Sequence, residues 1–76
     1  MATQLEERTH TSVAKVIEIT SESSESFEDA IQRGIAKAAE SVHGIRSAWV
    51  ANQQGTVEGG KVVAYRVDLK LTFVLD

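Results

Sequence analysis

The chain's only tryptophan, Trp49, lies in the run IRSAWVANQQ, from Ile45 to Gln54. Read as a strand, this run places Ser47, Trp49, Ala51 and Gln53 on one face, because side chains alternate. Ala48, Val50 and Asn52 then point the other way. An indole is a flat apolar surface with one N–H donor, while glutamine and asparagine side chains both donate and accept hydrogen bonds. Together these residues can stack on a planar ring and bond to its polar edge. That chemistry is recognition, and it needs an indole left uncovered by the protein's own core. Such an indole calls for a partner chain, a flat ligand, or both.

Bond-making chemistry finds little support. The serine-rich stretch SESSES, Ser21 to Ser26, has no histidine at a spacing that suggests a general base. Its serines and the nearby Glu25, Glu28 and Asp29 are explained by helix capping and the helix dipole, with metal binding as the sharper alternative. The chain has no cysteine and two histidines, His10 and His43, too few for a usual structural zinc site. The glycines of Gly55 to Gly60, GTVEGG, fall between two strands and are too widely spaced for a phosphate loop. The expectation is a protein that is not an enzyme.

Composition narrows the partners. The net charge of −3 argues against nucleic acid, which favours a basic surface. Lys61, Arg66 and Lys70 cluster late in the chain, but Asp68 sits among them. No signal-peptide core and no run near the ~20 apolar residues of a membrane span occurs, so a soluble, cytoplasmic protein is expected. A domain within 76 residues, without disulfides, gains buried apolar area most readily by associating with copies of itself.

The elements that must position Trp49 follow from periodicity. Residues 1–12 are polar and read as a flexible N-terminal tail, leaving 13–76 as the domain. Val13 to Thr20, VAKVIEIT, is β-branched and predicts a first strand, with Ile17 and Ile19 facing a helix and Val16 and Glu18 on the side of Trp49. Phe27, Ile31, Ile35, Ala38 and Val42 recur every three or four residues, one apolar stripe on a helix of about five turns. Gly34 and Ala38 would let that helix lie close to a sheet. Gly44 is placed to end it in a left-handed conformation, with His43 in the last turn. The Trp strand comes next, then Gly55–Gly60 as a hairpin loop. In the final strand, Val62 to Leu75, Val63, Tyr65, Val67, Leu69, Leu71, Phe73 and Leu75 alternate with mostly polar residues. The fold class is α+β: β-α-β-β, a three-stranded antiparallel sheet with one helix packed on one face.

The order and lengths of these segments resemble the dodecins, small flavin-binding proteins that assemble as hollow homo-oligomers, homododecamers of twelve subunits. The likeness covers Val16 to Leu75 and rests on VIEIT before a serine-rich loop, AIQRGIAKAAESV on the helix, and AYRVDLKLTFVL on the last strand. In flavin-binding members, a tryptophan of the second strand stacks on the isoalloxazine ring and a glutamine of the third bonds its polar edge. Here Ser47 stands at that tryptophan position and Arg66 at that glutamine position. Trp49, two residues on, keeps the same face, about 6–7 Å further along the strand. The resemblance therefore implies a flavin site built from Trp49, Arg66, Ser47, Gln53, Asn52 and Gln54, with Gln53 the preferred amide because it shares the face of Trp49. Arg66 can donate to flavin carbonyls but cannot accept from the ring N–H. Arginines that help some members hold FMN are replaced by Gln54 and Val74, which favours riboflavin or lumichrome over FMN. The chain is also similar to a dodecin subgroup through Ile45, Arg46, Ala48, Val50, Gly60, Lys61, Tyr65 and Arg66. That subgroup lacks the flavin tryptophan and is associated with calcium, for which Glu18, Glu58 and Asp68 are the strand and hairpin carboxylates available here.

Overall fold

A computed structural model describes residues 13–75, so the expected tail at 1–12 lies outside the described residues. Four elements follow one another: β1 (Val13–Ser23), α1 (Phe27–Ala39), β2 (Ile45–Glu58) and β3 (Lys61–Leu75). The strands form one antiparallel sheet in the order β1-β3-β2, so the last strand is central. The helix covers one face of it, as the alternation along β3 requires.

That alternation decides where the core sits. Val67, Leu69 and Leu71 are fully buried against Ala30, and Ile17, Ile19, Phe27, Ile31, Ile35 and Val50 pack around them. The buried line of the helix is its small residues, Ala30 and Gly34, while the larger apolar side chains straddle it. A Cβ built on Gly34 would stand 2.9 Å from Ser21 Cβ and 3.2 Å from Leu69 Cδ1, so the glycine sets how closely helix and sheet approach. At the start of the helix, the rings of Phe27 and Tyr65 meet edge to face at 5.1 Å.

Boundaries differ from expectation in three places, each for a physical reason. The first strand runs on to Ser23 because Ser21, Glu22 and Ser23 pair with Val67, Arg66 and Tyr65; ladder bonds outweigh a serine's preference for loops. The helix stops at Ala39, before the expected Val42. Its end tightens as Glu40 N–H donates to Lys37 and Ser41 N–H to Ala38, three residues back. Gly44, at φ +78°, then turns the chain into β2 rather than capping the helix directly. The hairpin loop shrinks from six residues to Gly59 and Gly60, whose φ values of +58° and +76° suit a tight turn matched to strand twist.

The helix start is held by side chains. Ser26 Oγ accepts from Asp29 N–H at 2.9 Å as the N-cap. Asp29 accepts in turn from Ser23 Oγ and from Arg33 Nε, both at 2.6 Å. These bonds, Ser23 first, hold the Asp29 carboxyl below the usual carboxylate range, and its pairing raises Arg33. The capping explanation of the acidic cluster accounts for these contacts.

Candidate functional site on the open face

The face of the sheet away from the helix is read from the strand register. Residues directly opposite on antiparallel strands share a face. Since Val67, Leu69 and Leu71 point to the helix, Arg66, Asp68, Lys70 and Thr72 point away. Across the three strands the open face therefore carries four rows: Val16–Thr72–Ser47, Glu18–Lys70–Trp49, Thr20–Asp68–Asn52 and Glu22–Arg66–Gln54.

Trp49 is 66% exposed, the highest value among the exposed large hydrophobic residues described. Its position opposite Lys70 brings that ammonium over the indole, 4.9 Å from the ring centroid. Such a cation–π contact at an exposed site contributes about 0.5–1 kcal/mol, so a stacking ring can displace it. Beside it, Asp68 accepts from Thr20 Oγ1 at 2.9 Å and, more weakly, from Asn52 Nδ2 at 3.4 Å. Glu18, Thr20, Asn52, Arg66 and Asp68 line a shallow polar depression next to the indole row.

Five of the six expected site residues, Trp49, Ser47, Asn52, Gln54 and Arg66, thus lie on the open face. Gln53 does not, which corrects the expectation that it shares the face of Trp49. The register of β2 against β3 shifts between Val50 and Asn52, leaving Ala51 as an extra residue. A bulge of this kind reverses the alternation beyond it. Gln53 is consequently opposite Val67, on the helix side, and Asn52, expected to point away from Trp49, instead shares its face and takes the place beside Asp68. An earlier shift, between Ile45 and Ser47, sets Ser47 and Trp49 outward while Ile45 stays with Phe73 on the helix side.

The sequence reading assigned neither Thr20 nor Lys70 to the site, and weighed Asp68 only as a carboxylate for calcium. Asp68 and Lys70 stand at even positions of the last strand, whose alternation already turns them away from the helix, whereas Thr20 joins them only through the pairing of β1 with β3. The carboxylates considered for calcium are not gathered in one chain. Glu18 and Asp68 line the depression, but Glu58 pairs with Lys61 at the hairpin tip. Among the described residues no group of three or more His, Asp or Glu is placed to hold a metal ion. Nor is any described helix long and apolar enough to cross a membrane.

A short sheet clad by one helix, with its other face aromatic and polar, defines a small α+β binding module. The dodecin family model matches residues 13–76, and the chain belongs to that family. Dodecin from Streptomyces davaonensis is similar at 27% identity over 88% of this chain and 98% of that one, with a TM-score of 0.81. A mutant of the T. thermophilus dodecin is 30% identical over 87% and 98%, also at 0.81. The calcium dodecin of Mycobacterium tuberculosis, a calcium-chelating antigen with a novel calcium-binding site, is 34% identical over 84% and 91%, at 0.73. A comparison with curated proteins finds no match.

Proposed function

We propose that this dodecin binds riboflavin-type flavins without turning them over, storing them in a cytoplasmic homododecameric shell and quenching their photochemistry. The observation that carries the reading is the 66% exposed Trp49, set on the uncovered face beside a depression rich in donors and acceptors. Family membership supports it, because the dodecin resemblance implies a tryptophan-stacked flavin on this strand. Association of copies would cover the exposed Val16 and Trp49 and bring indoles from different subunits around flat ligands. Stacking adds about 0.5–1.5 kcal/mol per aromatic pair beyond simple burial. Contact with an electron-rich indole would also quench an excited flavin. Riboflavin is favoured over FMN because Gln54 and Val74 offer no positive charge to a phosphate.

Fluorescence titration with riboflavin and FMN tests this directly. Riboflavin emission is expected to fall as protein is added, with FMN binding less tightly. Trp49→Ala should abolish the quenching while the elution volume of the assembly stays the same. Riboflavin emission that stays unquenched at micromolar protein would overturn the proposal, and a monomeric elution volume would remove the shell.

A further inference from the structure

We propose that Asp68, fixed by Thr20 and Asn52, reads an N–H on the edge of the stacked ligand. With Arg66 and Lys70 on either side, it restricts the site to planar heterocycles carrying an imide edge. The inference rests on the reading of the Trp49 face as a planar-ligand site, and it names the chemical class that site accepts.

Residues 66, 68 and 70 point outward from the central strand at two-residue steps, about 6.5–7 Å apart. A guanidinium and an ammonium can only donate hydrogen bonds, and an ionised carboxylate can only accept them. The row therefore reads donor, acceptor, donor. Arg66 and Lys70 have long flexible stems that can converge on a small edge, whereas Asp68 is short and must already be in place. It is: Thr20 holds one carboxylate oxygen at 2.9 Å and Asn52 the other at 3.4 Å. Each oxygen has two acceptor sites, so these bonds orient the group and leave capacity toward the depression.

The three charges are available as well as aligned. The described ion pairs all lie around the helix, at Arg33, Glu25, Asp29, Lys37 and Glu40, and none involves Arg66, Asp68 or Lys70. Lys70 instead rests over the indole that a ligand ring would cover. Insertion of the ring frees the ammonium to donate at its perimeter. Trp49 is the direct neighbour of Lys70 and a diagonal neighbour of Asp68, within reach of one ring system.

The complement of donor–acceptor–donor is carbonyl, N–H, carbonyl. An isoalloxazine or alloxazine presents that imide edge, as does a pteridine-dione. An adenine edge turns a ring nitrogen lone pair toward a carboxylate at the middle of the row, and is rejected. Arg66 cannot accept from a ring N–H, whereas the carboxylate of Asp68, two residues on along the same strand face, can.

The test compares riboflavin with 3-methylriboflavin, in which the imide N–H is replaced by N–CH3, on the intact assembly. The unmodified protein should bind the methylated flavin at least about tenfold more weakly, since a buried charged acceptor loses its partner. Asp68→Leu should bring the two affinities close to equality, because a clash of the methyl group with any other residue would survive that change. Thr20→Val, which removes a positioning residue only, should reduce the discrimination partway. Equal binding of both flavins by the unmodified protein overturns the inference and leaves the flavin reading standing. Discrimination undiminished in Asp68→Leu also overturns it. If neither flavin binds, both fall together.

Discussion

The two faces of this sheet come from the same three strands and differ in one residue at every step. On the helix side, Val67, Leu69 and Leu71 are fully buried and the helix lies so close at Gly34 that an added Cβ would stand 2.9 Å from Ser21 Cβ. On the other side, Arg66, Asp68, Lys70 and Trp49 meet solvent or one another. The covered face is committed to stability. The open face keeps period two between Ser47 and Trp49, so a tryptophan two residues from the position implied by the family still addresses the same surface.

The sharpest way to break this contrast is to truncate one large side chain on each face. Leu69→Ala should destabilise the fold by about 2–5 kcal/mol, as for other buried leucines. Trp49→Ala should change the denaturation midpoint far less, since most of the indole is already in water within the subunit. Denaturant unfolding monitored by circular dichroism reads both. Equal losses would mean that the indole belongs to the core.

A smaller effect tests the closeness of helix and sheet. Gly34→Ala gains helix propensity of about 1 kcal/mol but forces a methyl to within 2.9 Å of Ser21 Cβ. Overpacking of a fitted core costs about 1–3 kcal/mol, so net destabilisation is expected. Ser21→Gly should relieve part of it in the double variant. A more stable Gly34→Ala protein would show that the helix can lift away without penalty.

A third comparison uses neighbours that the bulge sends to opposite sides. Asn52→Ala should weaken riboflavin binding several-fold, because Asn52 borders the depression and touches Asp68. Gln53→Ala should leave it unchanged, because Gln53 is opposite Val67 on the helix side. The reverse pattern would place the bulge elsewhere.

This pair also marks how far the sequence could be read. The strand–helix–strand–strand order and the helix-facing side of β3 were legible from periodicity, since burial of Val67, Leu69 and Leu71 leaves an unbroken period of two. The open-face position of Trp49 was legible by the same rule. The face of Gln53 was not, because one extra residue at Ala51 reverses the alternation and carries no compositional mark; neither glycine nor proline announces it. The extension of β1 through Ser21, Glu22 and Ser23 was hidden for a related reason. Serine and glutamate have no strand preference of their own there, and the pairing with Val67, Arg66 and Tyr65 is a tertiary fact. Asp68 and Lys70 were visible as polar residues, but their roles depend on Thr20, Asn52 and Trp49, which come from two other strands.

The smallest expected effect concerns the covered side at the start of the helix, where a polar contact between Ser23 and Asp29 adds to the apolar packing. Asp29 accepts from Ser23 and Arg33, and these partners lower its pKa below the usual carboxylate range. A group whose folded pKa is depressed contributes stability above its unfolded pKa, near 4, and loses that contribution as pH falls through the lower folded value. Acidification below about pH 4 should therefore erode the junction between β1 and the first helical turn. Asp29→Asn should remove this part of the pH dependence and leave stability near pH 7 slightly lower. The open face shares none of these contacts, so Asp68→Asn should leave the acid sensitivity of the amides at residues 23–30 unaltered. Hydrogen exchange of those amides, followed from pH 6 to pH 3 in the three proteins, separates the two faces by charge as the core substitution separates them by packing.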